Sequence, residues 1–340
     1  MLRDDREAAD RALYPDEDGH QRRSFRSESG PIGPTEGLPF TSLGELLHES
    51  VEGPPWLVEG RLPRSGFSIL AGKPKAGKST VARCLALAVS RGEPWLGSPT
   101  HRGVVLYLGL EEKRAEVQTH FKAMGATEED PVHVFVAPSP QDGLERLRTS
   151  TAELSPALII IDPLFRFVRI RDANDYAVVT ASLEPLMVLA RGTAAHVLAV
   201  HHMGKGERTG GDSILGSTAL FGAVDTALLL RRSEKYRTLS SIQRYGEDLG
   251  EITLSLDPDT RIVTAGVPRS DADAASAADA ILEWLQSQAE PVEERAIQDA
   301  VEGRKADLVR ALRVLVAECR VIRTGQGRRG SPFLYAVSGF

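Results

Sequence analysis

Two cysteines in 340 residues are too few for a disulfide framework. Cys84 and Cys319 fall in predicted helices of different domains. They read as core thiols rather than a bridge, a metal site or a nucleophile, and a reducing cytoplasm is the expected home. No apolar run reaches membrane-spanning length, and the first residues, Met1-Leu2-Arg3-Asp4-Asp5-Arg6, are too charged for a secretory leader, so no membrane association is expected. An excess of positive charge is missing too: 41 Lys and Arg stand against 47 Asp and Glu, for a net charge of −6. Any contact with nucleic acid must then come from a local patch. What remains is a chain with 41% hydrophobic residues, enough for a real core, and long enough for one large domain plus a smaller one with flexible ends.

The most informative stretch is Gly72-Lys73-Pro74-Lys75-Ala76-Gly77-Lys78-Ser79, which fits the phosphate-loop pattern G-x-x-x-x-G-K-[ST]. A short apolar strand, Gly66–Ala71, precedes it. The run Thr80–Val89 follows with the Ala/Leu composition of a buried helix. Strand, glycine loop and helix in that order are the context such a loop needs. Glycines let the backbone curl so that successive N–H groups point at phosphate oxygens. The first helical turn adds unpaired N–H groups and the positive end of its dipole. The expected nucleotide contacts are Gly72, Lys73, Pro74, Lys75, Ala76, Gly77, Lys78, Ser79 and Thr80. Lys78 would place its charge between the β- and γ-phosphates, and Ser79 would offer its hydroxyl to Mg²⁺. ATP and Mg²⁺ are therefore the expected ligands.

Residues 1–38 are rich in Arg, Asp, Glu, Ser, Gly and Pro without an apolar period, and read as a disordered arm or a partner-binding one. Ser42 can cap a short helix bearing Leu43, Leu46 and Leu47. Trp56 leads into the first strand and can pack under the sheet or lie near an adenine. From Gly66 to about Val200 strands and helices alternate. The strand candidates are Phe67–Ala71, Val104–Leu110, Val132–Val136, Leu158–Asp162 and Ala195–Val200. Continuous apolar strands imply burial on both faces, hence a mostly parallel α/β sheet. Past Ala223, the segments Val224–Arg232, Arg237–Arg244, Glu251–Ser255 and Arg261–Thr264 read as strands extending that sheet antiparallel. The ATPase domain is expected over 39–265 and a linker over 266–276; Asp271–Ala277 reads as a linker or a frayed helix start. The last domain, 277–340, has three helices and a β-hairpin with its tip at Gly325–Pro332, which describes a winged helix-turn-helix.

Several strand ends carry chemistry. In a parallel sheet the ligand crevice lies beyond the carboxyl ends of the strands. Asp162 ends an apolar strand, Leu158-Ile159-Ile160-Ile161, and can hold Mg²⁺ beside Ser79; otherwise it is an acid that merely closes a strand. Glu111 and Glu112 follow the second strand. Glu111 is the expected general base, with Glu112 as the alternate or a helix cap. His201 and His202 end the fifth strand, where a polar side chain can bond the γ-phosphate and report its loss to the polar, glycine-rich segment Gly204–Asp212.

This ordered set resembles the RecA-type ATPases and, within them, the RepA-like hexameric helicases of plasmids and phages. The lead-in Pro55-Trp56-Leu57-Val58-Glu59-Gly60, the phosphate loop, Glu111-Glu112, Asp162, His201-His202 and Gly216-Ser217-Thr218-Ala219-Leu220 all carry the likeness, over roughly residues 40–265. The resemblance implies a RecA-like P-loop core and a ring of subunits, with a hexamer expected and nucleotide between neighbours. It makes Lys78, Ser79, Glu111 and Asp162 the phosphate, metal and water-activating residues, and His202 the γ-phosphate sensor. Arg244, after a late strand, matches the finger arginine given to the neighbouring subunit; otherwise it is a surface charge. Loop Met203–Ser213, with Lys205 and Arg208, corresponds to the one facing single-stranded DNA in the ring's hole. It departs from a strand-gripping loop in having no aromatic residue and in balancing its basic residues with Glu207 and Asp212.

The last module concentrates charge. Arg304, Lys305, Arg310, Arg313, Arg320, Arg323, Arg328 and Arg329 face only Asp307 and Glu318 between Arg304 and Arg329. Arg304, Lys305 and Arg310 lie on the presumed recognition helix, and Arg328 and Arg329 at the wing tip, the places such a domain touches duplex DNA. A protein-binding module is the other reading. The whole suggests an ATP-hydrolysing, DNA-associated ring ATPase acting in replication of a mobile element. The alternative is an ATP-gated DNA-binding regulator, or a partner-recruiting ATPase, without translocation.

Overall fold

The structure, a computed structural model, describes residues 40–49, 56–170, 175–203 and 217–339. The expected arm at 1–38 and Gly204–Asp212, with Lys205 and Arg208, lie outside the described residues. The chain divides into two units, at Val51. The first holds helix α1 (Leu43–His48), whose start is a capping box. The Ser42 hydroxyl accepts from Glu45 N–H at 3.2 Å, and the Glu45 carboxylate accepts from Ser42 N–H at 2.9 Å. The expected cap is present, and no side chain of the helix is buried.

The second unit opens with a small antiparallel pair, β1 (Trp56–Val58) and β2 (Leu62–Pro63). Its main sheet contains β3 (Phe67–Gly72), β4 (Val105–Gly109), β5 (Val132–Val136), β6 (Leu158–Asp162), β7 (His196–His202) and β8 (Thr226–Arg232). It continues with β9 (Arg237–Gln243), β10 (Ile252–Leu256) and β11 (Val263–Pro268). The order across these nine strands is β11-β10-β9-β8-β3-β7-β6-β4-β5. Strands β8 to β5 in that order are parallel, and β9, β10 and β11 add on antiparallel. A large, mostly parallel sheet with the glycine loop at its carboxyl edge matches the RecA-like core that the sequence leads one to expect.

Alternation along the strands builds two cores. Leu70, Tyr107, Ile160, Leu198 and Leu228 point to the face covered by α2 (Lys78–Arg91) and α3 (Arg114–Ala123). Ile69, Leu108, Ile159, Val197 and Leu229 point to the other, covered by α4 (Gly143–Leu154), α5 (Leu164–Phe167), α6 (Tyr176–Arg191) and α7 (Ser217–Ala223). Period-two alternation between two helix-covered faces is why these strands read as unbroken apolar runs.

Four expectations are corrected. β8 was expected antiparallel but runs parallel to β3, with Leu230 beside Gly72; the reversal comes one strand later. β5 was expected buried on both faces but is the outermost strand, with Val134 and Phe135 exposed. Apolar composition alone does not separate a central strand from an edge one. The expected linker 266–276 is the end of β11 followed directly by α8 (Arg269–Gln286). Its Ala-rich start has high helix propensity and buries Ala274 and Ala277, so the segment folds instead of fraying. Finally, Cys319 is exposed, in a left-handed turn past its helix, and is no core thiol; Cys84 is half-buried in α2.

After α8 come β12 (Val292–Glu293), α9 (Glu294–Ala300), α10 (Lys305–Ala317), β13 (Val321–Thr324) and β14 (Leu334–Val337). The strands form a separate antiparallel sheet in the order β12-β14-β13. Ile281, Leu285, Ile297, Leu308, Leu312, Leu315 and Tyr335 make a third core.

At the opening of β7 lies a buried titratable group. His196 is fully buried, and its Nδ1–H donates to the Pro63 carbonyl at 2.7 Å, which leaves Nε2 without a partner. Burial lowers its pKa to about 4. The folded state therefore holds His196 neutral while the unfolded chain protonates it near pH 6.5. Its stabilising contribution is complete above pH 6.5 and is lost as pH falls toward 4, by roughly 3 kcal/mol. Denaturant melts of wild type and His196→Asn between pH 4 and 7 are expected to differ in slope over that window. Equal slopes would contradict the assignment.

Candidate functional site

The loop between β3 and α2 takes its shape from two glycines and one lysine. A side chain at Gly72 would put Cβ 2.6 Å from the Leu230 carbonyl oxygen, so β8 can approach β3 there only because residue 72 has none. Gly77 holds φ at 107°, a conformation that penalises any Cβ, and turns the chain into α2. As the N-cap it brings no capping side chain, so the first-turn N–H groups of α2 are left for a ligand. Lys78 is buried and folds back into the loop. Its Nζ donates to the Gly72 carbonyl at 2.9 Å and the Lys73 carbonyl at 3.1 Å, and lies 3.3 Å from His202 Nδ1. Burial lowers the lysine's pKa, and the charges of Asp162 and Glu111 work against that shift.

Several strand ends meet beside the loop. Asp162, at the end of β6, is buried, and the Ser79 side chain is hydrogen-bonded to it. Burial raises the Asp162 pKa, and the bond from Ser79 opposes the rise. The Tyr107 hydroxyl lies 3.3 Å from Asp162 Oδ2. Just past β4 the Leu110 N–H bonds the Asp162 carbonyl at 2.8 Å, which brings the next two acids beside that strand end. There they part. Glu111 is partly exposed and pairs with Arg166 at 2.5 Å. Glu112 turns inward to Arg83, which is almost wholly buried, and lies 3.5 Å from the Tyr107 hydroxyl. His202 faces Lys78; burial and the lysine charge lower its pKa. His201, one residue earlier, points to the opposite face and packs edge-on against Phe165.

Lys75, Gly77, Lys78, Ser79, Thr80, Glu111, Glu112, Asp162 and His202 all line one cavity of about 320 Å³. Arg237, Leu254, Arg261 and Val263 close its far side. Trp56 is not on this wall; it packs on Gly246. Among the described residues no group of three or more His, Cys, Asp or Glu could hold a metal alone. Ser79 and Asp162 supply two oxygens, which suits Mg²⁺ taking its other ligands from phosphate and water.

Other candidates lie elsewhere. Arg244 follows β9 at the opposite end of the sheet. Its N–H bonds the Asp225 carbonyl at 2.8 Å, and its guanidinium reaches the Gly222 carbonyl at 3.2 Å. Leu230 is level with Gly72 and Asp225 is five residues back, so Arg244 is roughly 16 Å along the strands from its own loop. Arg304 and Lys305 open α10, Arg310 pairs with Asp271 at 2.6 Å, and Arg328 and Arg329 are exposed on the β13–β14 hairpin.

Sequence reasoning missed Arg83, Tyr107, Arg166 and Arg237. Only Arg83 had a legible signal: a lone charge inside Val81–Val89, on a helix otherwise suited to burial.

Comparison with known proteins adds the following. No curated protein matches the sequence. Among solved structures, a KaiC-like protein from the hyperthermophilic archaeon Pyrococcus horikoshii OT3 is similar at 14% identity and a TM-score of 0.47, over 62% of this chain and 93% of that one. The model of the AAA domain family matches residues 34–208. That span is just over half of the chain and carries the loop, both acids after β4, Asp162 and the histidine pair, so the chain belongs to the AAA domain family of P-loop ATPases.

Proposed function

We propose that the protein is an ATP-hydrolysing, DNA-associated ring ATPase of the RepA-like helicase type. The observation that carries the reading is the division of residues between the two ends of one sheet. Lys78, Ser79, Glu111, Asp162 and His202 share a cavity, and Arg244 sits roughly 16 Å from it along the strands. An arginine so placed serves a neighbour's nucleotide, as a ring of subunits requires.

The residues divide the work. The curled loop amides and Lys78 bind the triphosphate of ATP. Ser79 and Asp162 hold Mg²⁺, which neutralises charge on the phosphate oxygens when bound. Glu111 accepts the proton of the attacking water; its side chain is the more exposed of the two acids and pairs with the exposed Arg166, whereas Glu112 is held by the buried Arg83. His202, 3.3 Å from Lys78, meets the terminal phosphate and is followed closely in sequence by Gly204–Asp212, the segment that would respond to its loss. Arg244 of one subunit steadies the transferring phosphate on the next, and a hexamer is the expected assembly.

The C-terminal helices and hairpin are read as a winged helix-turn-helix. Arg304 and Lys305 at the start of α10, with Arg328 and Arg329 at the hairpin tip, suit duplex phosphates. Arg310 is taken up by Asp271 and is the weakest of these contacts. A second reading draws on the same charges. The segment Met203–Ser213 has no aromatic residue, so an ATP-gated binder of duplex DNA or of a partner protein, without translocation, fits that composition. ATPase rates separate the two: strong stimulation by single-stranded DNA and unwinding of a forked duplex support the motor. Stimulation by duplex alone supports the gated binder, and indifference to both supports the partner reading.

Two variants test the division of labour. Lys78→Ala and Arg244→Ala are each expected to lose turnover, the second by about a thousandfold with nucleotide affinity kept. Mixed together they are expected to regain activity, because a Lys78→Ala subunit can lend its Arg244 to an intact loop next door. A mixture as dead as its parts would remove Arg244 from catalysis. For the hairpin, Arg328→Ala/Arg329→Ala is expected to weaken duplex binding and flatten the log–log salt slope by about two. An unchanged slope would take DNA away from that tip.

A further inference from the structure

Strands β8 and β9 join through a tight turn, Ser233–Tyr236, beside the phosphate loop. Each strand sends one arginine to the loop's backbone. Arg232 donates to the Lys75 carbonyl at 3.3 Å, and Arg237 Nε to the Ala76 carbonyl at 2.9 Å. A Cβ added at Gly77 would lie 3.5 Å from Arg237 Nε, so this guanidinium covers the bend itself, and it lines the nucleotide cavity. Neither arginine belongs to a phosphate-binding motif.

The turn reaches the other way as well. Lys235 Nζ donates to Ser276 Oγ at 2.8 Å, and the Tyr236 hydroxyl bonds the Asp273 carboxylate. Both partners lie in the first half of α8, two residues or more beyond Asp271, which holds Arg310 of α10 at 2.6 Å. The turn is braced internally: Ser233 N–H donates to the Tyr236 carbonyl at 2.9 Å, and Tyr236 N–H to Ser233 Oγ at 3.1 Å. A displacement at one end of such a turn is passed on rather than absorbed. A crevice of about 410 Å³ is walled by Lys235 of the turn, Asp273 of α8 and Arg304 before α10.

We propose that Arg237 is a positioning residue of the nucleotide site, and that the β8–β9 turn carries the loop's occupancy to the C-terminal module. The inference rests on the loop binding nucleotide, as argued above. A bond from guanidinium to phosphate is roughly twice as strong as one to a neutral carbonyl. Bound phosphates therefore compete with the Ala76 carbonyl for Arg237, and its strand register moves with it. Asp273 and Ser276 receive that movement through Tyr236 and Lys235. Coupling of this kind is reciprocal, so cutting it changes nucleotide affinity too.

Amide hydrogen exchange on the full chain, with and without Mg·ADP, tests both ends. In wild type, ADP is expected to protect residues 73–80 and to change exchange in 269–278. In Lys235→Ala/Tyr236→Phe the response of 73–80 is expected to persist and that of 269–278 to vanish, with ADP affinity shifted about fivefold. Arg237→Ala is expected to lose the distal response and weaken ADP about tenfold, and Arg237→Lys to recover part of the affinity. Protection at the loop with an unchanged α8 in wild type, or an α8 response that survives the double variant, overturns the proposal while leaving nucleotide binding intact. No protection at 73–80 in wild type overturns the nucleotide reading, and the proposal falls with it.

Discussion

The carboxyl edge of the sheet is organised by one buried ammonium. Among the described residues Lys78 contacts no carboxylate; two loop carbonyls and a histidine nitrogen surround it. Taking a charge out of water costs several kcal/mol, and dipoles alone offset it incompletely. The backbone therefore curls until Gly72 and Lys73 present their oxygens inward. That curl dictates the rest: residue 72 must lack a side chain to admit β8, and Gly77 must turn left to start α2. A cation held in this way, with anions near but out of contact, is compensated best by a polyanion.

Below the loop a second cation is settled differently. Arg83 lies one turn and a half further along α2, stands 5.7 Å over the Tyr107 ring and takes Glu112 as its partner. Tyr107 joins that pair to Asp162. The first half of the helix thus carries one positive charge awaiting an anion and one already matched, and the matched one binds α2 to the strands β4 and β6. Two neighbouring acids acquire different fates from this: Glu112 becomes part of the foundation, and Glu111 is left open to the cavity with Arg166 beside it.

Much of this was legible in the chain. The phosphate loop has a spacing tied to its geometry, and the acids and histidines sit where apolar runs stop, so strand ends could be read without coordinates. The cap at Ser42 is a local pattern and was equally readable; the reciprocal bond from Ser42 N–H to Glu45 appears only in the structure. What stayed hidden depends on long-range pairing. The direction of β8 is decided by its neighbour β3, and the edge position of β5 by the absence of a further strand beside it in the sheet. Arg237 is ordinary in its own sequence neighbourhood and becomes interesting only when β9 returns it to Ala76. The supposed linker was misread because charges alternate with alanines there; only the fold shows that the alanine stripe is covered.

The outer border of the sheet has its own consequence. Strand β5 leaves one side of its ladder unpaired, with Val134 and Phe135 in water, which is the profile of a seed for fibrous assembly. Pro131 and Pro138 bracket the five residues of that strand. Neither proline has an N–H to offer an incoming chain, so a foreign strand finds a stub with no continuation at either end. The molecule thereby carries its own brake on runaway polymerisation, written into two residues that stand outside the nucleotide cavity.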